Sequence, residues 1–259
     1  MSQIQGRTIW LTGASSGIGL ALAEALAQEG ASLILTARSG QQLQQLAERL
    51  PGEHHVEVMD LMHPELAGER AEQIARQYTI DMLINNAGVS QRSLTLDTEL
   101  SVYRRLMDIN YFSVVALTKA VLPAMVERGE GHIVTVSSVA GKVGTKLRSG
   151  YAGSKFGVIG FMDCLRAEMA EQGVRCTTIC PGFVNTQIAH NSLVGDGKTL
   201  NQPDPDNAGG ISAEQCAQHI VSAIKKNKDE VIVADGLSRL APALQRFLPG
   251  LVRRMVAKR

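Results

Sequence analysis

The chain has 259 residues, of which 44% are hydrophobic and 20% are charged, and its net charge at pH 7 is +1. This length and composition predict one globular domain with a well-buried core. The nearly neutral charge excludes a general affinity for nucleic acid or for acidic surfaces.

Signals for export, membrane insertion or metal binding are not evident in the sequence. Met1–Gly6 is polar, and the apolar run after it breaks at Gly13, so we predict no signal peptide. No stretch approaches the roughly 18 apolar residues of a membrane span. The four cysteines have neither CxxC nor zinc spacing, and we predict buried free thiols in a cytoplasmic, reducing environment. These cysteines are Cys164, Cys176, Cys180 and Cys216.

Strand and helix patterns alternate along the chain, which is typical of an α/β fold with a parallel, doubly wound sheet covered on both faces. The predicted strands are Thr8–Thr12, Ser32–Ala37, His55–Met59, Ile80–Ile84, His132–Ser138, Arg175–Cys180 and Glu230–Ala234. The predicted helices are Leu20–Glu29, Gln41–Leu50, Pro64–Tyr78, Asp97–Glu127, Tyr151–Gln172 and Ser212–Lys226. Pro123 predicts a kink or break, and Ser212 with Gln215 predicts a capping box.

The stretch from Thr8 to Gly30 indicates a strand, a glycine turn and a helix. Gly13, Gly17 and Gly19 permit positive φ angles and close approach of the backbone to a ligand. The helix then presents unpaired N–H groups to an anion such as a pyrophosphate. Because the spacing is G-x-x-x-G-x-G rather than G-x-G-x-x-G, the turn alone fits a structural role as well as a nucleotide site.

Arg38 follows the second predicted strand, at the position where an NAD site usually has a carboxylate for the ribose 2′-OH. A guanidinium instead suits a 2′-phosphate in charge and in geometry. We therefore predict NADP(H), with NAD(H) as the less favoured cofactor. The alternative is a solvated arginine at the end of a strand.

Ser138, Tyr151 and Lys155 form a candidate catalytic group. Tyr151 and Lys155 are four residues apart and share a helix face, while Ser138 ends a strand. A tyrosine with a pKa near 10 is a poor base at neutral pH, and an adjacent ammonium lowers that pKa. Tyr151 is thus a candidate general acid/base, Lys155 its tuner and Ser138 the hydroxyl that positions a substrate oxygen. Y-x-x-x-K alone is more often a structural pair.

Several motifs occur together and in order, and with them the chain resembles the short-chain dehydrogenase/reductase family. They are Thr12-Gly13-x-x-x-Gly17-x-Gly19, Asn85-Asn86-Ala87-Gly88, Asn110, Ser138, Tyr151-x-x-x-Lys155 and Pro181-Gly182. The resemblance covers nearly the whole chain. It implies one Rossmann-type domain over residues 1–259 with a seven-stranded parallel sheet.

The resemblance also implies roles for single residues. Asn110 is expected as a fourth catalytic residue, holding a water that links Lys155 to solvent. Asp60 is expected to contact the adenine, and Lys155 the nicotinamide ribose. The full set of expected cofactor contacts is Gly13, Ser15, Ser16, Gly17, Ile18, Gly19, Arg38, Asp60, Leu61, Asn86, Ala87, Gly88, Tyr151, Lys155, Pro181, Gly182, Val184 and Thr186.

Three stretches, Asn110–Met125, Gly131–Lys142 and Phe161–Met169, look like the member 7/7B branch of the dehydrogenase/reductases, which is related to the 11β-hydroxysteroid dehydrogenases. Eukaryotic members of that branch carry an N-terminal membrane anchor. This sequence begins just before the first strand, so we do not carry the membrane location over. A hydrophobic alcohol or ketone, steroid-, retinoid- or lipid-like, is the substrate expected by analogy.

Two loops are expected to frame the substrate pocket. The 139–150 loop carries Lys142, Lys146 and Arg148, which could recognise an anionic substrate or form an exposed basic loop. The 187–210 segment is long for a compact domain and is predicted to be a mobile lid. Gln91-Arg92-Ser93 could also reach the pocket.

The 240–259 tail is basic and amphipathic, with Pro249-Gly250 dividing it into two short helical pieces. It could touch anionic lipid weakly or pack against another subunit. The resemblance implies a homodimer or homotetramer built through the helices that hold Asn110 and Tyr151.

Together these features predict an NADP(H)-dependent oxidoreductase that interconverts a carbonyl and a secondary alcohol. The alternatives are an NAD-linked alcohol dehydrogenase of the same fold and a cofactor-sensing scaffold without turnover. Such scaffolds usually lose the Tyr or the Lys, and both are present here.

Overall fold

The structure, a computed structural model, describes residues 4–202 and 205–258, without the side chains of residues 205 and 206. Part of the predicted 187–210 lid and the last residue of the 240–259 tail therefore lie outside the described residues.

Seven parallel strands form the central sheet, in the order β3-β2-β1-β4-β5-β6-β9, so the predicted doubly wound α/β fold is confirmed. A separate pair, β7 and β8, lies within the last crossover, between β6 and β9. The strands are β1 Thr8–Thr12, β2 Ser32–Ala37, β3 His54–Val58, β4 Met82–Asn85, β5 Gly131–Val136, β6 Val174–Pro181, β7 Val184–Asn185, β8 Ile211–Ser212 and β9 Glu230–Val233.

Helices cover both faces of this sheet. They are α1 Gly17–Gln28, α2 Gly40–Arg49, α3 Pro64–Gln77, α4 Leu100–Met107, α5 Ser113–Arg128, α6 Ser149–Glu168, α7 Pro205–Ala208, α8 Ala213–Lys225, α9 Gly236–Phe247 and α10 Pro249–Lys258. Single 3-10 turns form at Thr95–Asp97 and Val139–Gly141, and a π-turn spans Asp108–Phe112.

The core has two layers because successive strand side chains point to opposite faces of the sheet. Ile9 and Leu11 belong to the layer that packs against α1 and α8, whereas Trp10 belongs to the layer that packs against α3 and α5. The inner strands are mostly apolar and buried on both faces, as expected for a sheet that helices cover on both sides, whereas the edge strand β3 carries polar residues. The buried Trp10 donates its indole N–H to Thr36 Oγ1 at 2.8 Å, so its polar atom has a partner.

Most helix ends agree with the sequence predictions. Gly30 follows α1 with φ +82°, which is the left-handed conformation expected after a helix end. The capping box of α8 is present, with Gln215 N donating to Ser212 Oγ and Ser212 N donating to Gln215 Oε1. The helix that carries Tyr151 begins at Ser149 rather than at Tyr151 and ends at Glu168 rather than at Gln172.

The fourth predicted helix differs from its prediction. Pro123 neither breaks nor ends α5, which continues from Ser113 to Arg128. Pro123 lies on an exposed face, where water can satisfy the carbonyl that its missing N–H leaves unpaired. The irregularity lies earlier, at the π-turn Asp108–Phe112, which contains Asn110.

The run Leu100–Arg128 corrects the expectation that no stretch could span a membrane. This 29-residue helical run has a mean hydropathy of 1.5 in its most apolar window, which is long and apolar enough to cross a bilayer by length and composition. A core helix passes the same test, and this one buries Val114, Leu117, Val121 and Met125.

The cysteine prediction is wrong for one residue. Cys164 is exposed on α6, whereas the other three are buried free thiols. Burial raises the pKa of Cys176 to about 11 and those of Cys180 and Cys216 to about 12, so these three remain protonated and unreactive at neutral pH.

Candidate active site

One cavity of about 1040 Å³ lies at the carboxyl ends of the parallel strands. It sits where the strand order reverses between β1 and β4, the place where doubly wound sheets bind ligands. All residues predicted to contact the cofactor line it, as does Ser138. Of the predicted site residues, only Asn110 does not line the cavity.

The glycine turn between β1 and α1 requires its glycines. Gly13 and Gly17 have φ +68° and +56°, values that L side chains rarely adopt. A Cβ added to Gly19 would lie 2.0 Å from Gly13 O, so no larger residue fits there. The N-cap of α1, Ser16, makes no side-chain capping bond, and the first N–H groups of the helix remain available to an anion.

Thr12, the last residue of β1, joins this turn to the neighbouring strand. Its Oγ1 accepts hydrogen bonds from Asn86 N at 3.0 Å and Ala87 N at 3.1 Å. Asn86 Nδ2 in turn donates to Thr12 O at 3.0 Å. These bonds fix the spacing of the two loops that form the dinucleotide cradle. Thr12 occurred in the sequence motif, but it was not predicted as a site residue.

Arg38 and Asp60 lie at the end of the cavity formed by β2 and β3. Arg38 is exposed at the end of β2, where its guanidinium can reach a ribose phosphate. Asp60 Oδ1 accepts a hydrogen bond from Met62 N at 3.0 Å, which fixes the turn after β3. The shape and donor set of this end therefore fit the adenosine half of a dinucleotide.

The predicted catalytic side chains converge on the opposite side of the cradle. Ser138 Oγ accepts a hydrogen bond from Ala140 N at 3.0 Å and interacts with the Tyr151 phenol. Lys155 Nζ donates to Val136 O at 2.9 Å and lies 5.9 Å from the centroid of the Tyr151 ring. The catalytic roles of these residues stay predictions.

Burial governs the ionisation of the tyrosine and the lysine. Desolvation raises the pKa of Tyr151, and the Ser138 hydroxyl opposes this by hydrogen bonding. Desolvation also lowers the pKa of Lys155 to about 8. In this structure Tyr151 is therefore a protonated phenol at pH 7. The tuning of its pKa by Lys155 stays a prediction.

Asn110 lies behind the cavity wall in the π-turn. Its Oδ1 accepts from Val89 N and its Nδ2 donates to Val89 O and Ser154 Oγ, each at 2.9 Å. A Cβ added to Gly88 would lie 3.0 Å from Asn110 Oδ1 and 3.4 Å from Lys155 Nζ. The structure thus places Asn110 beside Lys155, and its role in holding a water stays a prediction.

Of Gln91, Arg92 and Ser93, only Arg92 lines the cavity, which corrects the expectation that Gln91 and Ser93 could reach the pocket. Gln91 instead has a structural role that the sequence did not reveal. It is fully buried, and its Oε1 accepts from Gly150 N at 2.7 Å and from Tyr151 N at 3.2 Å. Its Nε2 donates to Ser93 Oγ and Thr98 Oγ1, both at 3.2 Å. Because the N-cap of α6 makes no side-chain capping bond, Gln91 supplies the cap from outside the helix.

The two predicted pocket loops contribute unequally. Lys142 forms an ion pair with Glu230 at 2.6 Å and does not line the cavity, which corrects its expected role toward an anionic substrate. Lys146 and Arg148 do line it. Described residues of the 187–210 segment, such as Gln187, Ile188 and Asn207, line the cavity. In the same segment, Leu193 exchanges backbone hydrogen bonds with Ser90 and Arg92. Its predicted mobility stays a prediction.

The C-terminal helices α9 and α10 also form part of the cavity wall, a position that differs from the lipid or subunit contact expected for this tail. The cavity-lining residues from these helices are mostly apolar: Leu237, Ser238, Ala241, Leu244, Val252, Met255 and Val256. The sequence contained one indication of this, because the hydrophobic residues of the tail have the spacing of a helix with one apolar face, and such a face packs against another part of the protein. Part of that apolar face lines the cavity.

The fold and the cradle define a dinucleotide-binding domain of the doubly wound class. Among the residues that the structure describes, no group of three or more His, Cys, Asp or Glu side chains could hold a metal ion.

Residues 7–195 match the sequence model of the short chain dehydrogenase family. The chain therefore belongs to this family of oxidoreductases. It is 38% identical over 264 residues to dehydrogenase/reductase SDR family member 7B from Mus musculus, covering 99% of this chain and 82% of that protein.

Solved structures are similar as well. A short-chain dehydrogenase from Sphingobium yanoikuyae in complex with NADPH is 25% identical, with a TM-score of 0.79, covering 97% of this chain and 95% of that chain. A family member from Burkholderia phymatum in complex with NAD, at 23% identity and a TM-score of 0.80 over 98% of this chain and 94% of that chain, shares the fold.

Proposed function

We propose that the protein is an NADP(H)-dependent oxidoreductase that interconverts a carbonyl and a secondary alcohol on a hydrophobic small molecule, with Tyr151 as general acid/base. The observation that carries this proposal is the placement of Ser138, Tyr151 and Lys155 around one end of the dinucleotide cradle. A scaffold that only sensed the cofactor would not need this arrangement.

The protonation states favour reduction. In that direction NADPH supplies a hydride to the carbonyl carbon, and a proton must reach the carbonyl oxygen. The raised pKa of Tyr151 keeps its phenol protonated, so it can donate that proton. The Ser138 hydroxyl, fixed by its bond from Ala140 N, is placed to hydrogen bond the same oxygen.

Lys155 is suited to hold the cofactor ribose. With a pKa of about 8 it is mainly protonated at pH 7, and its ammonium carries three donors. One donor is used on Val136 O at 2.9 Å. The remaining donors can bind ribose hydroxyls, and the positive charge supports the phenolate that Tyr151 becomes after proton transfer.

Two features support the preference for NADP(H) and for an apolar substrate. Arg38 follows β2 where an acidic residue would favour NAD(H), and its guanidinium matches a 2′-phosphate. On the substrate side, α9 and α10 give the cavity an apolar wall that includes Leu244, Val252 and Val256. Such a wall excludes water from the reacting carbon and suits a hydrophobic ketone.

The exposed faces of α5 and α6 support a homodimer or homotetramer. Phe112, immediately before α5, and Phe156 on α6 are 48% and 47% exposed, and no atom lies within 4 Å of a Cβ added to Gly153 or Gly160. Open space beside exposed aromatic rings suits close packing against a second copy. A cytoplasmic location stays a prediction.

The test of the function is a substrate screen with purified protein. Loss of NADPH absorbance is followed with steroid, retinal-type and long-chain ketones and with small polar ketones, and binding of NADPH and NADH is compared by nicotinamide fluorescence. We expect tighter binding of NADPH and turnover of apolar ketones. Preference for NADH together with alcohol oxidation would replace the proposal with the NAD-linked alternative, and no turnover across the panel in either direction would contradict it.

A further inference from the structure

The C-terminal pair α9–α10 exposes a set of large apolar side chains that the fold does not cover. Phe247 is 75% exposed, and none of the residues of α9 is buried. In α10, Val252 is the buried residue, whereas Leu251 is 48% exposed and Met255 is 42% exposed. The exposed residues are Leu237, Leu240, Phe247, Leu248, Leu251 and Met255, of which Leu237 and Met255 also line the cavity. A cluster of this kind on one segment marks a surface that binds something.

The charges on this segment all have one sign. Between Gly236 and Lys258 the sequence has five cations and no carboxylate, although the whole chain has a net charge of only +1. No ion pair joins these cations to any residue that the structure describes. They are Arg239, Arg246, Arg253, Arg254 and Lys258.

The two sets alternate along the same two helices. On α10, Leu251 and Met255 are four residues apart and share a face, and Arg254 and Lys258 repeat that spacing beside them. Apolar side chains flanked by arginines and lysines are what a helix lying in a bilayer interface requires. The apolar groups enter the acyl boundary, while the cations meet anionic headgroups.

We propose that α9–α10 binds peripherally to the surface of an anionic lipid bilayer. A second copy of this chain is a poorer occupant, because a two-fold contact brings the same surface against itself. Five cations would then face five cations with no carboxylate to pair them. An anionic bilayer matches both the charge and the exposed apolar side chains.

The position of the segment gives this contact a consequence for the site. Leu244, Val252 and Val256 line the cavity, whereas Phe247 and Leu251, a few residues away, are exposed. A bilayer bound to the outer side would therefore lie next to the apolar wall of the pocket. This consequence rests on the proposed function, because the bound bilayer would supply a route by which a hydrophobic ketone passes from the lipid phase to Tyr151. Bilayer binding itself does not depend on it.

The experiment is co-sedimentation of the full chain with vesicles of phosphatidylcholine alone or with about 30% phosphatidylglycerol, at low and high salt. We expect binding only to the anionic vesicles, and weaker binding as salt is raised. The double variant Arg253→Gln, Arg254→Gln should lower the partition coefficient roughly 30-fold, because each cation near an anionic surface contributes about fivefold.

Further variants separate the causes. Phe247→Ser with Leu251→Ser should also reduce binding, whereas Lys226→Gln with Lys228→Gln, an exposed pair after α8, should not. Tyr151→Phe should bind vesicles like the unchanged protein, which keeps this test independent of catalysis. Absence of binding to anionic vesicles at low salt would overturn the proposal. So would equal loss in the Lys226/Lys228 control, or tail variants that change the oligomer mass and leave vesicle binding unaltered.

Discussion

Replacing Gln91 by methionine should impair catalysis through the position of Tyr151. Methionine keeps the side-chain volume but removes the acceptor for Gly150 N and Tyr151 N and the donor to Ser93 and Thr98. Two N–H groups at the start of α6 would lose their buried partner, at about 1–3 kcal/mol each. We expect a loss of roughly 2–6 kcal/mol in the free energy of unfolding.

The catalytic effect follows from the same bonds. When the first turn of α6 loosens, the phenol of Tyr151 moves relative to Ser138, and a displacement near 1 Å can lower kcat by about 100-fold. Gln91 does not line the cavity, so NADPH affinity should change little. The assay is steady-state turnover of the best ketone from the screen and NADPH binding by fluorescence, both well below the melting temperature of each variant.

Two controls make this result interpretable. Gln91→Glu retains oxygens that accept from both N–H groups at a helix N-terminus, so it should recover most of kcat. Ile220→Ala, on the buried face of α8, should lose about 2–5 kcal/mol of stability and keep kcat. If Gln91→Met lost stability but kept kcat, as Ile220→Ala should, the positioning role would be refuted.

Three further predictions concern other parts of the molecule. Arg38→Asp should weaken NADPH binding about 10- to 100-fold and leave NADH binding intact; an unchanged affinity ratio would mean that Arg38 does not bind the 2′-phosphate. Burial lowers the pKa of His132 to about 4, from a value near 6.5 in the unfolded chain. The folded protein therefore keeps its full stability above pH 6.5, where His132 is neutral in both states. As the pH falls from 6.5 through 4, the unfolded chain takes up the proton first, and the free energy of unfolding decreases by about 3 kcal/mol. His132→Gln should weaken the dependence of stability on pH in acid denaturation followed by circular dichroism, whereas the control His219→Gln, at an exposed histidine, should leave it unchanged. The same acid-denaturation curve for His132→Gln and for the unchanged protein would contradict this. Phe156→Asp should lower the oligomer mass measured by light scattering, and an unchanged mass would exclude this face of α6 from the subunit contact.

The parallel sheet and its ligand-binding edge could be predicted from sequence because the signals are local. Apolar strands alternate with helical patterns, Gly13 and Arg38 each follow a strand, and Pro181 ends one. In a parallel sheet all such positions reach the same edge, so the cavity follows from topology alone. The proximity of Tyr151 and Lys155 could also be predicted from the sequence, because a spacing of four residues places both side chains on one face of a helix.

The remaining features depend on contacts that are remote in sequence. Gln91 caps α6 from a loop about sixty residues earlier, and no local pattern distinguishes it from a surface glutamine. Pro123 has a helix-breaking signal, but exposure of its face decides that the helix continues. Burial raises the pKa of Tyr151, and that burial comes from tertiary packing that no local sequence pattern reveals.

The central claim is that Tyr151 transfers the proton in an NADP(H)-dependent reaction, and Tyr151→Phe tests it most directly. The phenol oxygen is removed while the ring still fills its buried position, so the fold and the glycine cradle should be preserved. The measurement is single-turnover NADPH oxidation with the best ketone, beside NADPH binding by fluorescence. We predict binding within about twofold of the unchanged protein and a rate lower by at least about 100-fold. A variant that turned over at a comparable rate would contradict the account.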